Sequence, residues 1–398
     1  MRLSTHNSNT SALDVLVDRQ SKLSDSQSQL TSGKRVNQAS DDPAAAARAE
    51  RALASERRTV ASQRAVDASS NAMTLTEGAL GDATSLLQSA REALVAAGNA
   101  SYTDKERAGV ANQLTDLREQ LLAIANRTDG SSSYLFGGQG SSRAPFVDLP
   151  GGVRFQGTSG QTQAASGDAL PLTMDGEGTW MQGRTGNGVF ETQVVASTGT
   201  AVIDAGAVTD PAALTGSTYS IRFSVVGNAT TYSVLQNGNP TAQTNLAFKP
   251  GQAIQIDGMT TTITGSPANG DRFDMAPSTA DLSVFDALDK AIAALKTPGR
   301  TTTQIGQGNA IALTQLDSVF GQVNAGRALM GATMNRVDAV SDRLSALKLS
   351  SVTERSKAED LDMVQALSDV NNQQTGYDAA LKAYSMVQRL SLFNYLNV

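Results

Sequence analysis

Residues 361–398 read LDMVQALSDVNNQQTGYDAALKAYSMVQRLSLFNYLNV. Within this stretch, positions suited to a helix seam recur at alternating intervals of three and four residues, at Leu367, Val370, Gln374, Tyr377, Leu381 and Tyr384. This spacing is typical of the a and d positions of a helix that buries one narrow stripe against another helix. The stretch therefore predicts a terminal helix that needs a helical partner.

The other end of the chain carries the same spacing, at Leu13, Leu16, Gln20, Leu23, Gln27 and Leu30. We expect the two terminal helices to pair. Each buried Leu of so thin a seam contributes about 1.5–3 kcal/mol, against a backbone entropy cost of about 1–2 kcal/mol for every ordered residue. The pair is then marginal alone, and the hypothesis is that neighbouring copies supply the missing contacts. The alternative, on pattern alone, is an ordinary intramolecular bundle.

The predicted assembly surface joins both stripes to the apolar end of the chain. Its members are Leu13, Leu16, Gln20, Leu23, Gln27, Leu30, Leu367, Val370, Gln374, Tyr377, Leu381, Tyr384, Leu390, Leu392, Phe393 and Tyr395. Polar residues buried at a or d positions fix the register of coiled coils at a cost in stability. We therefore expect Gln20, Gln27 and Gln374 to be buried in the seam and to set its register.

The composition excludes several classes of chemistry. The chain has no Cys and one His, His6, so disulfides, thiolate nucleophiles, zinc fingers and multi-histidine metal sites cannot be built within it. The net charge is −6 and no basic face is evident, which argues against nucleic acid. The adjacent carboxylates Asp41 and Asp42 precede Pro43, a pattern that favours helix capping over a metal or acid–base pair. No enzyme activity, cofactor or metal is predicted.

The N-terminal half predicts long helices. The first runs from about Ala12 to Leu30 and stops at Gly33, and the second runs from Pro43 to about Ala97, a length of about 80 Å at 1.5 Å per residue. Thr103 and Glu106 form a capping box that opens a third helix, expected to end at Gly130. The N-terminal sequence lacks the apolar core of a conventional signal peptide, and no stretch approaches the length of a membrane span.

The amino-acid composition changes near residue 141. Eight of the ten prolines lie between Pro145 and Ala280, where short alternating runs such as residues 219–225 and 253–256 predict antiparallel strands. This segment carries 10 acidic and 5 basic residues. Helix returns at Asp281, breaks at Pro298 and resumes from about Thr302 to Leu349.

The pattern as a whole predicts an α+β multidomain chain, with long antiparallel helical rods from both termini and one inserted antiparallel β domain. The expected divisions are a terminal coiled-coil layer of residues 1–40 and 359–398, a helical rod domain of residues 41–140 and 281–358, and an outer β domain of residues 141–280. Both chain ends then lie together.

Specific segments of the sequence resemble those of a known protein family. LTSGKRVNQASDDPAAAARAE at residues 30–50 and the run at residues 71–99 closely resemble the N-terminal segment of bacterial flagellins. RALMGATMNRVDAVSDRL at residues 327–344 and AEDLDMVQALSDV at residues 358–370 resemble their C-terminal segment. The chain is thereby identified as a member of the flagellin superfamily, over about two-thirds of its length.

Three further stretches resemble the hook–filament junction members of this superfamily more than filament flagellins. They are the tail QRLSLFNYLNV at residues 388–398, the run SYLFGGQGSSRAPF at residues 133–146 with VRFQGTSGQ after it, and residues 248–278. Residues 161–172 depart from the pattern, which bears on the strand order of the β domain.

The resemblance implies a non-enzymatic, extracellular role in motility. It implies a structural adaptor exported by the flagellar type III apparatus, assembling as a ring of copies between hook and filament and templating flagellin. The implied partners are further copies of the chain, hook-associated protein 1 on the hook side, flagellin on the filament side and an export chaperone on the C-terminal segment. One rival hypothesis is a flagellin that forms the filament itself. Another is a secreted enzyme or adhesin on a flagellin-like rod, which predicts a ligand groove in residues 145–280.

Overall fold

The structure is a computed structural model that describes residues 5–396, with the side chains of residues 10–386. It divides into two compact units. The terminal unit comprises residues 1–64 and 341–398, and the central unit comprises residues 65–340.

Seven α-helices organise the described residues. They are α1 (Thr5–Ser32), α2 (Pro43–Ala97), α3 (Asp104–Ala125), α4 (Gly176–Trp180), α5 (Val284–Lys296), α6 (Thr302–Glu359) and α7 (Met363–Leu396). Helix α2 has the predicted bounds, and α3 opens on the predicted capping box of Thr103 and Glu106. Three ends differ from expectation. Helix α1 begins at Thr5 instead of about Ala12, α3 stops at Ala125 instead of Gly130, and α6 continues ten residues beyond Leu349. No described helix is both long and apolar enough to span a membrane.

Helices α2 and α6 run antiparallel in each unit. In the terminal unit, Ser351 donates a hydrogen bond to Ser55 at 3.0 Å, and the Gln63 amide donates one to Ser341 at 3.2 Å. In the central unit, an ion pair joins Arg91 to Asp317 at 2.7 Å, and Arg327 donates a hydrogen bond to Glu77. Within each unit, later residues of α2 thus contact earlier residues of α6, as antiparallel helices do.

The helical core of the central unit also receives residues from the segment predicted to be β. Trp180 is fully buried and stacks on Phe285 of α5 at 6.1 Å between ring centroids. Phe146 and Phe136 pack against the same indole at 6.3 and 5.3 Å. The first part of the insertion is thus anchored on the helices by an aromatic cluster.

Twelve strands are described, all between Phe146 and Pro277. They are β1 (Phe146–Leu149), β2 (Gly152–Phe155), β3 (Phe190–Ala196), β4 (Val202–Ile203), β5 (Ala207–Val208), β6 (Tyr219–Val226), β7 (Ala229–Gln236), β8 (Asn239–Pro240), β9 (Leu246–Ala247), β10 (Ala253–Ile256), β11 (Met259–Thr264) and β12 (Arg272–Pro277). Every named strand pair is antiparallel.

The strands form a β1–β2 hairpin and two larger sheets. One sheet has the order β10-β11-β4, with β5 also on β11, and the other has the order β3-β12-β6-β7-β8, with β9 on β7. Inward-facing residues of both sheets, among them Phe190, Tyr219, Phe223, Ile263 and Phe273, make a second core. The predicted fold class, helices from both termini with an inserted antiparallel β region, is confirmed. The three-domain division remains a prediction.

Candidate assembly surface on the terminal helices

Helices α1 and α7 pack against each other in the terminal unit, as the two stripes predict. The least exposed positions on α7 are Ala366, Val370, Gln373, Tyr377, Ala380 and Tyr384, with Gly376 beside them. On α1 the matching positions are Ala12, Leu16, Leu23, Ser26 and Leu30. These intervals of three, four and seven residues are those of a heptad seam. Among the seam side chains that the structure describes, only Leu16 and Val370 are buried, at 9% and 8% exposed, so the seam is thin.

Half of each predicted stripe lies in this seam and half lies beside it. Leu16, Leu23, Leu30, Val370, Tyr377 and Tyr384 are at seam positions, whereas Leu13, Gln20, Gln27, Leu367, Gln374 and Leu381 are exposed. The expectation that Gln20, Gln27 and Gln374 are buried between the two helices is therefore wrong for the single chain. The physical reason is that the seam positions between the predicted ones hold small or polar residues, such as Ala12, Ser26 and Ala380, so the seam lies one residue away from the larger side chains.

Polar contacts within the seam involve other residues than those predicted. Ser26 donates a hydrogen bond from Oγ to Oε1 of Gln373, 3.0 Å away. A Cβ placed on Gly376 would lie 2.7 Å from a guanidinium nitrogen of Arg19, so the arginine of α1 occupies the space that the glycine leaves open. Both contacts lie at positions with heptad spacing. These positions are 12, 16, 19, 23, 26 and 30 on α1, and 366, 370, 373, 377, 380 and 384 on α7.

The outer face of the helix pair exposes apolar side chains. On α1, Val17 is 65% exposed and lies one turn from Leu13. On α7, Val364 is 84% exposed, and Leu367, Leu381 and Met386 are also open to solvent. We call these residues, with Gln20, Gln27 and Gln374, the open flank. Several exposed apolar side chains on one helix pair are typical of an interaction site.

The connections at the base of the pair are held by main-chain contacts that sequence reasoning missed. Arg35 N–H donates to the carbonyl of Glu359 at 2.7 Å, and Leu361 N–H donates to the carbonyl of Gly33 at 3.0 Å. Gly33 has a φ of +69°, which closes α1 in the left-handed conformation that glycine adopts readily. The guanidinium of Arg35 also donates to the carbonyl of Ala358 at 2.9 Å. The spacing of apolar residues along the sequence gives no signal for a contact between loops that are far apart in the chain.

Of the paired carboxylates, Asp42 caps a helix as predicted, whereas Asp41 holds the loop before that helix. Asp42 Oδ1 accepts from the backbone N–H of Ala45 at 3.0 Å and so caps α2. This hydrogen bond, with a second from Arg35, lowers the pKa of Asp42 below its usual value. Asp41 accepts from the N–H groups of Asn37 and Gln38 at 2.9 Å each. Both carboxylates have structural partners, and no cluster of three metal-ligating side chains occurs within the described residues.

Four members of the predicted surface, Leu390, Leu392, Phe393 and Tyr395, lie outside the residues whose side chains are described. Their backbone belongs to α7. Their place in the assembly surface remains a prediction.

Comparison with known proteins follows the same division of the chain. The bacterial flagellin N-terminal helical region matches residues 3–141, and the bacterial flagellin C-terminal helical region matches residues 313–396. These two regions make up more than half of the chain, and they contain α1, α2, α3 and α7 and most of α6. The chain belongs to the bacterial flagellin family.

Within this family, the chain is similar over its full length to flagellar hook-associated protein 3. The relative from Salmonella typhimurium is 26% identical over 397 residues, which is 99% of both chains. The crystal structure of flagellar hook associated protein-3 from Legionella pneumophila is 25% identical, with a TM-score of 0.71, and the match covers 78% of this chain and 97% of that one. Filament proteins are similar too, since a flagellin of Clostridium tyrobutyricum is 24% identical over 85% of this chain and 86% of its own.

Proposed function

We propose that this chain is a structural junction protein of the bacterial flagellum, which assembles as a ring between hook and filament and templates flagellin. The observation that carries the proposal is the end-to-end similarity to hook-associated protein 3, which includes the β insertion as well as the helices. The role needs no catalysis, and the similar proteins are structural components of flagella.

The open flank is the proposed assembly surface. Its apolar side chains are exposed in the single chain, and Leu16 and Val370 are the only buried residues among the seam side chains described. Covering it with neighbouring subunits removes apolar area from water at about 25 cal/mol per Å². This gain offsets the entropy of ordering two thin terminal helices, so that their folding is coupled to assembly.

The proposed partners follow from a position at a boundary. One end of the ring meets hook-associated protein 1, and the other meets flagellin. Before export an unpaired apolar helix is an aggregation hazard, so an export chaperone is expected to cover the C-terminal segment. The chain would leave the cell through the flagellar type III apparatus and function outside it.

The second candidate is a flagellin that builds the filament itself, which the similarity to the Clostridium tyrobutyricum protein keeps open. The two functions differ in stoichiometry, because a filament protein dominates sheared flagella whereas a junction protein is a trace component. Quantitative mass spectrometry of sheared flagella separates them.

Deletion of the gene is the direct test. For a junction protein we expect bare hooks, with flagellin lost to the medium, and restoration of filaments when the gene is supplied again. Hooks that carry normal filaments in the deletion strain would contradict the proposal. Export can be followed separately by assaying the culture medium for flagellin.

A further inference from the structure

A small pocket opens into the core of the β region, at one end of the space between its two larger sheets. Its volume is about 170 Å³. The start of β3 and the end of β12 bound it on one sheet, and the start of β11 bounds it on the other. The loop before β6 closes part of the remaining side. The pocket is thus continuous with the interior of the β region.

The lining of this pocket is apolar and uncharged. Phe190, Met259 and Met275 are buried members of the β core, and Leu214 packs against that core. Ser217 is the only lining residue with a polar side chain, and its Oγ already accepts hydrogen bonds from two side-chain amides, at 3.1 and 3.3 Å. A buried water molecule needs several polar partners, and burial of an ion without a counter-charge is costly. The lining therefore favours an apolar, neutral guest.

The size of the pocket fits one aromatic ring. An apolar cavity of about 150 Å³ stays dry and takes up benzene. A cavity that stays unfilled inside a core lowers stability in proportion to its volume. A guest of matching size therefore gains contacts there without making any hydrogen bond.

Three of the lining side chains favour an aromatic guest over an aliphatic one. The ring of Phe190 can meet a second ring edge-to-face or in an offset stack. Thioether sulphurs make favourable contacts with aromatic rings at about 5 Å, and Met259 and Met275 supply two of them. Methionine is also unbranched and adaptable, so these two side chains can adjust to the outline of a guest.

The loop before β6 leaves the pocket open to solvent on one side. Leu214 is partly buried, whereas Thr215 and Gly216 are exposed, and the lining residue Val189 is 44% exposed. Nothing lies within 4 Å of the position that a Cβ would take on Gly216. The hydroxyls of Thr215 and Tyr219 are hydrogen-bonded at 2.6 Å, which ties the loop to β6. A small molecule can therefore enter beside the loop without separating the strands of either sheet.

We propose that this pocket binds a small, neutral aromatic molecule, one ring in size. The lining supplies apolar contact, a phenyl ring and two thioether sulphurs, and it offers no charge to an ionic ligand. The inference is independent of the proposed junction function, because every contact that it uses lies within the β region.

The probe is benzene, added to the full-length chain with carbon-13 in the methyl groups of its ten methionines. We expect the methyl signals of Met259 and Met275 to shift with a saturable dependence on benzene concentration, because a bound ring alters the signals only of groups close to it. Met330 is buried in the helical core and is the internal control, whose signal should not move. Benzoate, which is the same ring with a carboxylate, should cause no shift. The lack of a saturable shift at Met259 and Met275, or an equal shift at Met330, would overturn the proposal.

A matched pair of variants tests the place of binding. Leu214→Phe puts a ring of the chain's own at the mouth of the pocket, so we expect benzene binding to be lost. Leu246→Phe, the same change at a residue that is 40% exposed and outside the pocket, should retain it. Binding that persists in Leu214→Phe, or that is lost from both variants, would refute the assignment. The methyl shifts of the unsubstituted chain remain a test whether or not Leu214→Phe folds.

Analytical ultracentrifugation with and without benzene examines the other possible occupant, a second copy of the chain. We expect benzene to leave the sedimentation of the purified chain unchanged. If benzene instead dissociates a self-associated form, an apolar side chain of a second copy occupies the pocket and the small-molecule assignment is wrong.

Discussion

Ser26 and Gln373 meet across the seam of the terminal helices, with 3.0 Å between the serine Oγ and the glutamine Oε1. Both occupy heptad positions, one on α1 and one on α7, where apolar residues would pack more tightly. A polar pair inside a seam disfavours sliding of one helix along the other, because a shift leaves a partly buried polar group without its partner. The contact therefore specifies which turn of α1 faces which turn of α7.

The first prediction concerns this pair. In a double-mutant cycle of Ser26→Ala and Gln373→Ala we expect a coupling free energy of about 0.5–1 kcal/mol, the low part of the range for a hydrogen bond because the contact is only partly buried. Urea unfolding followed by far-UV circular dichroism measures it. The matched control is Ser26→Ala with Gln374→Ala, since Gln374 is adjacent in sequence but exposed. A coupling as large for Gln374 would show that the register is not the one described.

The seam shows how far the sequence leads and where it stops. The terminal helices, their pairing and the six shared seam positions followed from the spacing of Leu, Val and Tyr. The other positions did not, because a helix places Ala12 and Leu13 on adjacent faces, and the spacing alone favours the larger apolar residue as the buried one. Leu13 instead faces outward, where only a partner molecule would bury it, and nothing in one chain's periodicity distinguishes a seam from a second apolar face.

The second prediction uses the glycine under Arg19. Gly→Ala in a helix interior normally adds about 1 kcal/mol of stability. At Gly376 the new methyl group would displace the Arg19 side chain, so we expect a smaller gain than for Gly321→Ala in α6, where nothing lies within 4 Å of the added methyl. Arg19→Ala should restore the full gain to Gly376→Ala. The measurement is the unfolding free energy of Gly376→Ala, Gly321→Ala, Arg19→Ala and the double variant of Arg19 and Gly376. An equal gain in stability at both glycines would mean that Arg19 does not constrain position 376.

The third prediction concerns a buried arginine that ties together three elements of the central unit. Arg118 of α3 is 7% exposed and pairs with Asp148 of β1 and Asp289 of α5, each at 2.6 Å. Its hydrogen bond to Asp148 lowers the pKa of that carboxyl, although burial opposes the shift. Arg118→Leu leaves two carboxylates without their counter-charge. Since both are partly exposed and solvated, we expect a loss of about 1–3 kcal/mol, below the full cost for a buried pair.

Fluorescence of Trp180, the single tryptophan, follows this unfolding because the indole lies in the same helical core. The control is Arg127→Leu, which breaks an exposed pair with Asp82 and should cost less than about 1 kcal/mol. Equal losses for the two variants would show that Arg118 is no more than a surface pair.

The fourth prediction is a pH dependence in the β region. Asp271 is 1% exposed, and burial alone would raise its pKa, but hydrogen bonds from the N–H groups of Thr198, Ala268 and Gly199 outweigh burial and lower it. A carboxyl with a lowered pKa in the folded state contributes stability that is fully present above its unfolded pKa, about 3.9, and is lost as the pH falls through the folded value. We therefore expect the β region to lose stability below about pH 4.

Asp271→Asn should make that loss shallower and lower the stability at pH 7 by about 1.5–3 kcal/mol, because an amide turns an NH₂ group toward backbone donors. Hydrogen exchange of β6 and β12 at several pH values measures both effects. Asp116→Asn, at an exposed site on α3, is the control and should leave the profile unchanged. An unchanged acid limb in Asp271→Asn would refute this assignment.

The β region was predictable in class but not in order. Runs that alternate cleanly, such as residues 219–225 and 253–256, were found as strands because one face is apolar. Strand β3 is not among the predicted strands because Val194 and Val195 are adjacent and both exposed. Strand β12 is also absent from the prediction, although Arg272 and Asp274 alternate with buried Phe273 and Met275 as in other half-buried strands. The pairing of β12 between β3 and β6 joins segments far apart in sequence, which local pattern does not encode.

The last prediction separates the terminal helices from the rest of the molecule. Removal of residues 381–398 takes away the last part of α7, including Leu381 and Met386 of the open flank and the seam residue Tyr384. The central unit has its own helical and β cores, so we expect Trp180 fluorescence and the thermal unfolding of that unit to be unchanged, while incorporation into flagella is abolished. Incorporation is lost because the truncation shortens both the open flank and the seam, and a helix pair with so few buried residues is only marginally stable. Incorporation is measured by immunoblot of sheared flagella, with the full-length chain as the control. A truncated chain that still joins flagella would place the assembly surface elsewhere, and a truncation that unfolds the Trp180 core would show that the terminal helices stabilise the whole chain instead of serving assembly.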